Sequence, residues 1–507
     1  MPTAPRILTR AVLVALAALA PLAATLALVR LHLGASIADF VPYFNDEVGY
    51  WHQALTFKTA GFDGGYYSLN EWPPLAGFLH YDTFGPWYPL LYGLTARVTG
   101  WEPYSGVVVN GLALAAALAA FGLLMPLEPR RLLLAGGLTL TSWPVLLFLF
   151  SNMQESLQQA FAIGTAILFY RVISRREQLA PGLYWGGLAW LLAIAITRPA
   201  WGLLFLPYFG LTSRQRGWGR PALTLLRSAL AVGVVLLAGM VTGAPGNNSI
   251  YKVIGSFTIS LDIGLRYLLA YIGGNLAALF NPRKPLLDWL QTVQALFLIA
   301  GAAAVLWRGR RAADDPRRAE AAFHALNLGG IMAASQALYI VGTGGDYRVV
   351  GAHLLLSGLL LVAFRRDRIA LALLAANLAF LPAFLDHYAA VARPAINPDR
   401  PALADFRAAA HQAMRYDPAA SAWCNTLLLP ISLYDERLTG VPGGIGLSFF
   451  VDVDEVPLPL KSQYLLADPD TAAGLLRRRP APRLEPLAAL PDVTLYRNLD
   501  AACPPGG

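Results

Sequence analysis

The sequence predicts a polytopic α-helical membrane protein that ends in a small α/β domain. The chain has 507 residues, of which 56% are hydrophobic and only 14% are charged, whereas soluble globular proteins carry about 25% charged residues. Its mean hydropathy is +0.49. The apolar residues also gather in runs long enough for a bilayer-spanning helix, which needs about 17–25 residues.

Eleven apolar runs are predicted to be transmembrane helices. They lie at 11–33, 105–126, 131–150, 154–173, 182–197, 199–211, 222–242, 286–306, 323–341, 349–364 and 369–385. Basic residues gather between them in the loops at 127–131, 174–178, 213–220, 308–318 and 365–368. With the N-terminus in the cytoplasm all these loops are cytoplasmic, as the positive-inside rule requires. The C-terminus is then outside.

Two apolar segments need a separate interpretation. The segment 265–280 would reverse the topology if it crossed the membrane, so we predict an interfacial or re-entrant helix, bent at Gly273 and Gly274, within an outer segment at 243–285. The N-terminal run is longer than the 7–15 residues of a signal-peptide core. We therefore interpret it as a retained first span.

The polar parts of the chain form a first outer loop at 34–104 and a tail at 386–507, beyond the transmembrane domain of 1–385. The tail is predicted to be a folded extracytoplasmic domain in its own right. Its segments with helical or strand patterns predict a small α/β sheet; they are a helix at 401–416 and strands at 425–432, 445–452, 462–468 and 493–498. Cys424 and Cys503 either pair there as a disulfide or remain two thiols.

The formal charge of +8 does not indicate a nucleic-acid partner. Its basic residues lie in short loops between apolar runs, without the interleaved aromatic residues of a nucleic-acid-binding surface. The partner that this composition indicates is membrane lipid.

A pair of acids opens the first outer loop in the stretch FNDEVGYWHQ, residues 44–53. Asp46 is a candidate general base for an acceptor hydroxyl, and Glu47 is a neighbour that could tune it or orient the acceptor. The other interpretation is a helix N-terminus with acids in its first turn. Both stay open at this point.

The order of motifs resembles the membrane glycosyltransferases of the GT-C superfamily. After the first span and the acid pair comes FGPWYPLLYGLTARVTGW, 84–101, which is similar to a proline–aromatic element of that superfamily, with a single Pro86 where two are frequent. Glu155 opening a span, Arg198 after a span and Arg348 in GGDYRVVGAH follow in the family's order. The last element lacks the family's prolines. The nearest groups are the protein O-mannosyltransferases and the bacterial aminoarabinose transferases, glycosyltransferase families 39 and 83.

This resemblance, which covers about 1–390, implies a function. Such enzymes transfer a sugar from a polyprenyl-phosphate donor, with inversion, on the outer face of the bacterial inner membrane. The acceptor would be an envelope glycan, a lipid such as lipid A, or a protein, and no cofactor would be required. Asp46 would be the base with Glu47 beside it. The cations expected to bind the donor phosphate are Arg198, Arg348, Lys252 and Arg266.

Further side chains are predicted to contact the substrate: Tyr50, His52, His80, Asp82, Trp87, Tyr88, Glu155 and His353. Several alternatives remain. Arg198 could snorkel at a span end, Arg348 could pair with Asp346, and Trp87 and Tyr88 could belong to an interfacial belt. His80 and Asp82 are weak candidates for a divalent metal.

Two other function classes compete with a glycosyltransferase. An O-antigen-type polymerase or ligase also works on the outer face, but it usually carries its large loop late in the chain. A lipid flippase or transporter is expected to show inverted repeats or broken helices near the midplane, and neither is visible in the sequence.

Overall fold

The computed structural model describes residues 4–43, 45–76, 81, 85–175, 179–213, 219–244, 249–281, 283–308, 315–396 and 400–503. Helices make up most of it. In chain order, α1–α19 are Ala4–His32, Asn45–Ala60, Trp87–Thr99, Ser105–Leu124, Pro129–Thr141, Trp143–Leu149, Glu155–Ser174, Pro181–Thr197, Phe205–Thr212, Gly219–Thr242, Ser249–Ile259, Leu261–Leu279, Leu286–Arg308, Pro316–Ala337, Tyr347–Ala363, Asp367–Ala379, Leu381–Ala392, Arg400–Ala413 and Pro469–Arg477. The strands β1–β6 are Tyr67–Leu69, Thr426–Pro430, Gly446–Phe450, Tyr464–Ala467, Leu484–Ala489 and Thr494–Asn498.

Several helices have the length and composition of membrane spans, which is consistent with a membrane protein. Among the described residues five helices qualify on their own, or seven if each of two bent pairs counts as one span. The count of eleven stays a prediction. The run at 199–211 is a six-residue 3₁₀-helix, Pro199–Leu204, followed directly by the eight residues of α9. Together they extend only about 24 Å, where a bilayer core measures about 30 Å.

The bent pairs are α5 with α6, at 63°, and α16 with α17, at 57°. A proline at the start of each second helix, Pro144 and Pro382, accounts for the two breaks. The breaks meet at Asn377, whose carbonyl accepts from the indole of Trp143 (2.8 Å) and whose side chain accepts from Gln294 (2.7 Å). The sequence analysis, which found no broken helix, was wrong on this point.

The bundle has two chemically distinct ends. At one end the basic loops meet: Arg131 Nε lies 3.1 Å from Asp367 Oδ1, and Arg366 Nη2 lies 2.6 Å from Glu320 Oε2. Arg348 is at the opposite end of α15, whose 17 residues are about 25 Å long. The predicted topology requires such a separation of the basic loops from the Arg348 end. The orientation in a membrane stays a prediction.

α7 and α15 form the centre of the bundle. Nearly every side chain of α15 is buried, and α7 packs directly on it. Leu356, Leu359 and Phe169 from these helices are all fully buried in the main apolar cluster. A helix that is apolar on all sides is expected at the core of a bundle.

The tail contains a sheet with the strand order β1-β3-β2-β4-β6-β5 in the described part of the chain. The four predicted strands are present as β2, β3, β4 and β6, and the predicted helix is α18. β1, however, comes from the first loop and pairs in parallel with β3, Tyr67 opposite Leu447. The sheet of the tail is therefore completed by a strand of the first loop, which was not predicted.

The structure settles two further details. Cys424 and Cys503 form a disulfide. α12 is one unbroken α-helix through Gly273 and Gly274. Gly274 instead permits close packing, since a Cβ there would lie 2.4 Å from Cγ1 of Val341, whereas Gly273 faces open space.

Candidate functional site

Four of the predicted residues meet at the end of the bundle that faces the tail. The guanidinium of Arg348 bridges two carboxylates: Nη2 donates to Asp46 Oδ2 (3.0 Å) and Nε donates to Glu155 Oε1 (3.1 Å). Arg198 Nη1 lies 3.7 Å from the same Glu155 oxygen. We call Asp46, Glu155, Arg198 and Arg348 the ionic cluster.

Helix ends bring the cluster together. Asp46 and Glu155 lie in the first turns of α2 and α7, where the helix dipole favours a negative charge. Arg198 follows the last residue of α8. Arg348 lies at the start of α15, where a cation is unfavourable, and two carboxylates together with the N-cap Asp346 (Oδ1 to Arg348 N, 2.7 Å) compensate for it.

The exposed fraction of the side chain differs among the residues of the ionic cluster, so the cluster has a buried side and an open side. The side chain of Glu155 is 6% exposed, that of Arg348 28% and that of Asp46 44%. Glu155 therefore forms the floor and Asp46 the open side. Oε2 of Glu155 is buried without a hydrogen-bond partner among the described residues. The charges of the two carboxylates balance those of the two guanidinium groups. An arginine of the cluster can bind an anion by exchanging it for a carboxylate, and Asp46 can accept the proton of a hydroxyl.

Glu47 does not face the cluster, and its predicted catalytic role needs correction. It is buried, with 4% of its surface exposed. Its oxygens accept from the backbone N–H groups of Asn152 (2.7 Å) and Tyr43 (3.1 Å). Consecutive helical residues project about 100° apart, so Glu47 points inward. It holds the start of α2 against the turn that precedes Glu155.

A buried ion pair supports the start of α15. Lys284 and Asp288 lie 3.9 Å apart, and their side chains are 8% and 7% exposed. Asp288 Oδ1 accepts from the backbone N–H of Tyr347 (2.7 Å), the residue before Arg348, while Lys284 Nζ donates to the carbonyl of Gly344. Neither residue was predicted for the site, although their i,i+4 spacing at a span start was a usable signal.

Asn275 on α12 organises the loop at 338–346 that leads into α15. Its Nδ2 donates to the carbonyls of Gln336 and Tyr339, both at 3.1 Å, and its Oδ1 accepts from the N–H groups of Gly342 (2.9 Å) and Gly344 (3.1 Å). An asparagine amide has two donors and at least two acceptor positions, so all are used. The sequence analysis missed Asn275, because it stands alone in an apolar run.

The tyrosines next to the cluster form a stack. The ring of Tyr50 lies 5.1 Å from that of Tyr88, and Tyr88 stacks on Tyr92 at 4.2 Å. The hydroxyl of Tyr88 donates to the carbonyl of Asn152 (2.9 Å), and the residue is buried. Tyr88 therefore supports the turn before Glu155. Trp87, beside it at the start of α3, is partly buried.

Both described histidines of the predicted site lie away from it. His52 is fully buried against the tail, and its Nδ1 is 2.8 Å from the hydroxyl of Tyr67 in β1. Burial lowers the pKa of His52 to about 4. His353 is buried inside the bundle, 2.7 Å from Asn327 Oδ1 and stacked on Trp201 at 4.6 Å. Packed protein surrounds both rings, so neither of them lies with the ionic cluster.

The remaining predicted residues give no compact site. His80 and Asp82 lie outside the described residues. Lys252 is on the exposed face of α11. Arg266 pairs with Asp262 on α12 (3.0 Å), both largely exposed. Within the described ranges no three His, Cys, Asp or Glu side chains are grouped to hold a metal ion.

Comparison with known proteins gives no family assignment: no protein-family profile matches the chain, and no curated protein matches it significantly. The chain is thus characterised by its apolar helices, its shared sheet and its ionic cluster.

Proposed function

We propose that this protein is an inverting glycosyltransferase that moves a sugar from a polyprenyl-phosphate donor to an acceptor hydroxyl on the outer face of the inner membrane. One observation carries the proposal. Arg348 joins Asp46 and Glu155 at 3.0 and 3.1 Å, although these residues are 302 and 193 positions away in the chain. Ionisable residues at the ends of apolar helices are costly and usually functional.

The chemistry follows from the charges of the cluster. The acceptor oxygen attacks the anomeric carbon, and its proton passes to Asp46, the most exposed carboxylate. The bond from that carbon to the phosphate oxygen breaks, and its electron pair leaves with the polyprenyl phosphate. A single displacement of this kind inverts the anomeric centre. General-base assistance typically contributes about 10²–10⁴-fold in rate.

Arg348 has two roles in this scheme. It pairs with Asp46 at 3.0 Å. A donor phosphate offers the guanidinium a second anionic partner, and exchange towards it leaves Asp46 available for the acceptor hydroxyl. Arg198 lies beside the same floor carboxylate and supplies a second cation. These contacts accelerate the reaction because charge on the leaving phosphate grows in the transition state.

The decisive experiment replaces Asp46 by Asn in a strain lacking the native gene, with envelope glycans, lipids and proteins compared by mass spectrometry. Asp46→Asn should reduce sugar transfer at least 100-fold, while protein amount and donor binding remain. Asp63→Asn is the matched control, since Asp63 is an exposed acid just after α2. Normal transfer by Asp46→Asn would exclude Asp46 as the base.

A second arm tests the phosphate role. Arg348→Lys keeps the charge but lacks the fork that reaches both carboxylates, so both Arg348→Lys and Arg348→Ala should weaken the binding of polyprenyl phosphate at least tenfold. Unchanged binding in both variants would contradict the donor-site assignment.

The bent helix pairs that meet at Asn377 favour a lipid transporter as the second candidate, because broken helices often line transport sites. The transporter would be supported by two results together: the Asp46→Asn variant moves lipid-linked sugar across vesicle membranes, and the wild type transfers no sugar to an acceptor.

A further inference from the structure

A polar cleft lies in the tail, on the face that carries the disulfide. Its volume is about 810 Å³, which is within the range of about 300–1,000 Å³ for small-molecule sites. Side chains of Gln412, Arg415, Tyr416, Gln463 and Arg497 line it, and the Cys424–Cys503 disulfide forms part of its wall. We call it the tail cleft. None of its residues belongs to the ionic cluster.

The wall of the cleft is fixed. The disulfide joins the segment before β2 to the chain that follows β6. The N–H of Gln463 donates to the carbonyl of Trp423 (3.0 Å), and the carbonyl of Gln463 accepts from the N–H of Asn498 (2.8 Å). Asn498 also donates from its side chain to the carbonyls of Leu460 and Ser462, both at 3.0 Å. The polar side chains therefore project from a braced backbone.

The cleft has positive charge available for a ligand. No ion pair or hydrogen bond engages the exposed guanidinium of Arg415 in the described part of the chain. Arg497 has one partner, Glu485, at 3.5 Å, with both side chains about half exposed (45% and 48%). Such a surface pair contributes little and is readily exchanged. The acid in the cleft, Asp417, already accepts from the N–H of Ala419 (2.9 Å).

The polar groups fit a sugar that carries acids. Guanidinium forks bind carboxylate or phosphate in a bidentate manner. The amides of Gln412 and Gln463 each offer donors and an acceptor, a combination that matches the neighbouring hydroxyls of a sugar ring. Tyr416 is partly exposed and presents a ring edge or face. An acidic peptide would satisfy the arginines but would leave the amides without hydroxyl partners.

The cleft is also connected to the element that bears Asp46. The hydroxyl of Tyr416 donates to the carbonyl of Asp63 (3.2 Å), in the turn that follows α2. Asp46 lies at the other end of α2, whose 16 residues span about 24 Å. A ligand that occupied both places would have to be an extended chain.

We propose that the tail cleft binds an acidic oligosaccharide, the part of the acceptor glycan remote from the hydroxyl that receives the sugar. The assignment of this ligand as acceptor depends on the proposed glycosyltransferase function. The binding of an acidic oligosaccharide by the cleft does not.

The test is calorimetric titration of the full chain in zwitterionic lipid nanodiscs with tetragalacturonate as the probe. The double variant Arg415→Ala/Arg497→Ala should bind it at least tenfold more weakly than the wild type, about 1.4 kcal/mol. The control is Arg477→Ala/Arg479→Ala, which also removes two positive charges, both exposed at the end of α19 and outside the cleft, and should change the affinity less than twofold. Neutral maltotetraose should bind at least tenfold more weakly than tetragalacturonate.

Three results would overturn the inference: no binding of tetragalacturonate at millimolar concentration, equal losses in the Arg477→Ala/Arg479→Ala control, or equally tight binding of pentaglutamate, which would indicate an acidic peptide partner. Asp46→Asn should bind the probe normally. If Asp46→Asn transfers sugar as the wild type does while the cleft variants lose the probe, the proposed function fails and the oligosaccharide site stands. If Asp46→Asn loses sugar transfer while the cleft variants still bind the probe, only the oligosaccharide site is removed.

Discussion

Asp46 and Glu47 are adjacent in the sequence, yet their surroundings are opposite. Asp46 is the open side of the ionic cluster, with 44% of its side chain exposed. Glu47 is buried and binds two backbone N–H groups. The helix start explains the difference, since each step along α2 turns the side chain by about 100°. The helix-terminus interpretation and the catalytic one thus apply to different residues of the pair.

The pH dependence of stability can be predicted at His52, which joins α2 to the tail. Burial lowers the pKa of His52 from 6.5 to about 4, so the folded protein keeps this ring neutral while the unfolded chain binds a proton below pH 6.5. The stability that depends on neutral His52 is full above pH 6.5 and falls as the pH drops towards 4. The total loss is roughly 3 kcal/mol.

Thermal unfolding of wild type and His52→Asn at a fixed scan rate, from pH 7.5 to 4, measures this effect. An asparagine can still bond the hydroxyl of Tyr67 but does not titrate. The wild type should lose midpoint temperature relative to His52→Asn as the pH falls, since other titrating groups are common to both proteins. Parallel curves across that range would contradict the prediction.

The sequence predicted Asp46, Glu155, Arg198 and Arg348 because costly ionisable residues stood at the ends of apolar runs. His353 follows Arg348 by five residues along α15. Five helical steps rotate a side chain by about 500°, that is, 140° away from Arg348. His353 therefore points into the bundle, where Asn327 and Trp201 surround it.

At the scale of elements, α12 and the 338–346 loop determine where Arg348 lies. Asn275 holds the loop by four hydrogen bonds, and Lys284 and Asp288 fix its junction with α15. The i,i+4 spacing of Lys284 and Asp288 is a local signal, but it does not reveal what the pair supports, because the contacts to the loop and to α15 join residues about 60 positions apart. A helix that the sequence suggested for the membrane surface thus supports the ionic cluster.

Two adjacent glycines of α12 give a matched test of this support. A Cβ at Gly274 would lie 2.4 Å from Cγ1 of Val341 in the loop, whereas one at Gly273 meets nothing within 4 Å. Gly274→Ala should displace the loop and weaken the binding of polyprenyl phosphate at least tenfold. Gly273→Ala should leave binding unchanged and stabilise the helix by about 1 kcal/mol. Titration of both purified variants measures the contrast, and equal affinities would show that the loop does not position Arg348.

For the whole molecule, the shared sheet makes the bundle and the tail one structure. The alternating, strand-like runs of the tail predicted β2, β3, β4 and β6. β1 escaped prediction because it has only three residues, and its partner β3 lies about 380 residues later. Pairing between such distant segments depends on the assembled bundle, so a local pattern cannot indicate it. The consequence is that the tail restrains the loop that carries Asp46.

Glu71 connects the first loop to the tail, and its replacement tests whether the tail restrains that loop. The side chain is fully buried, and its carboxylate accepts from the N–H groups of Lys461 (2.9 Å) and Ser462 (2.8 Å). Glu71→Ala should cost about 1–3 kcal/mol for each N–H left without an acceptor. Because β1 ends two residues before Glu71, the loss should loosen the pairing of β1 and make the first loop sensitive to protease. Sugar transfer should fall with it, although Glu71 does not belong to the ionic cluster.

The control for Glu71 is Asp468→Ala, which removes the N-cap bond of α19 (2.9 Å to Thr471 N) within the tail and should cost about 1 kcal/mol. This variant should keep both the protection of the first loop and sugar transfer. If Asp468→Ala exposed the first loop as much as Glu71→Ala, general instability of the tail would explain the result. If Glu71→Ala left the loop protected and transfer normal, Glu71 would not restrain the first loop, and α2 would hold Asp46 in place without it.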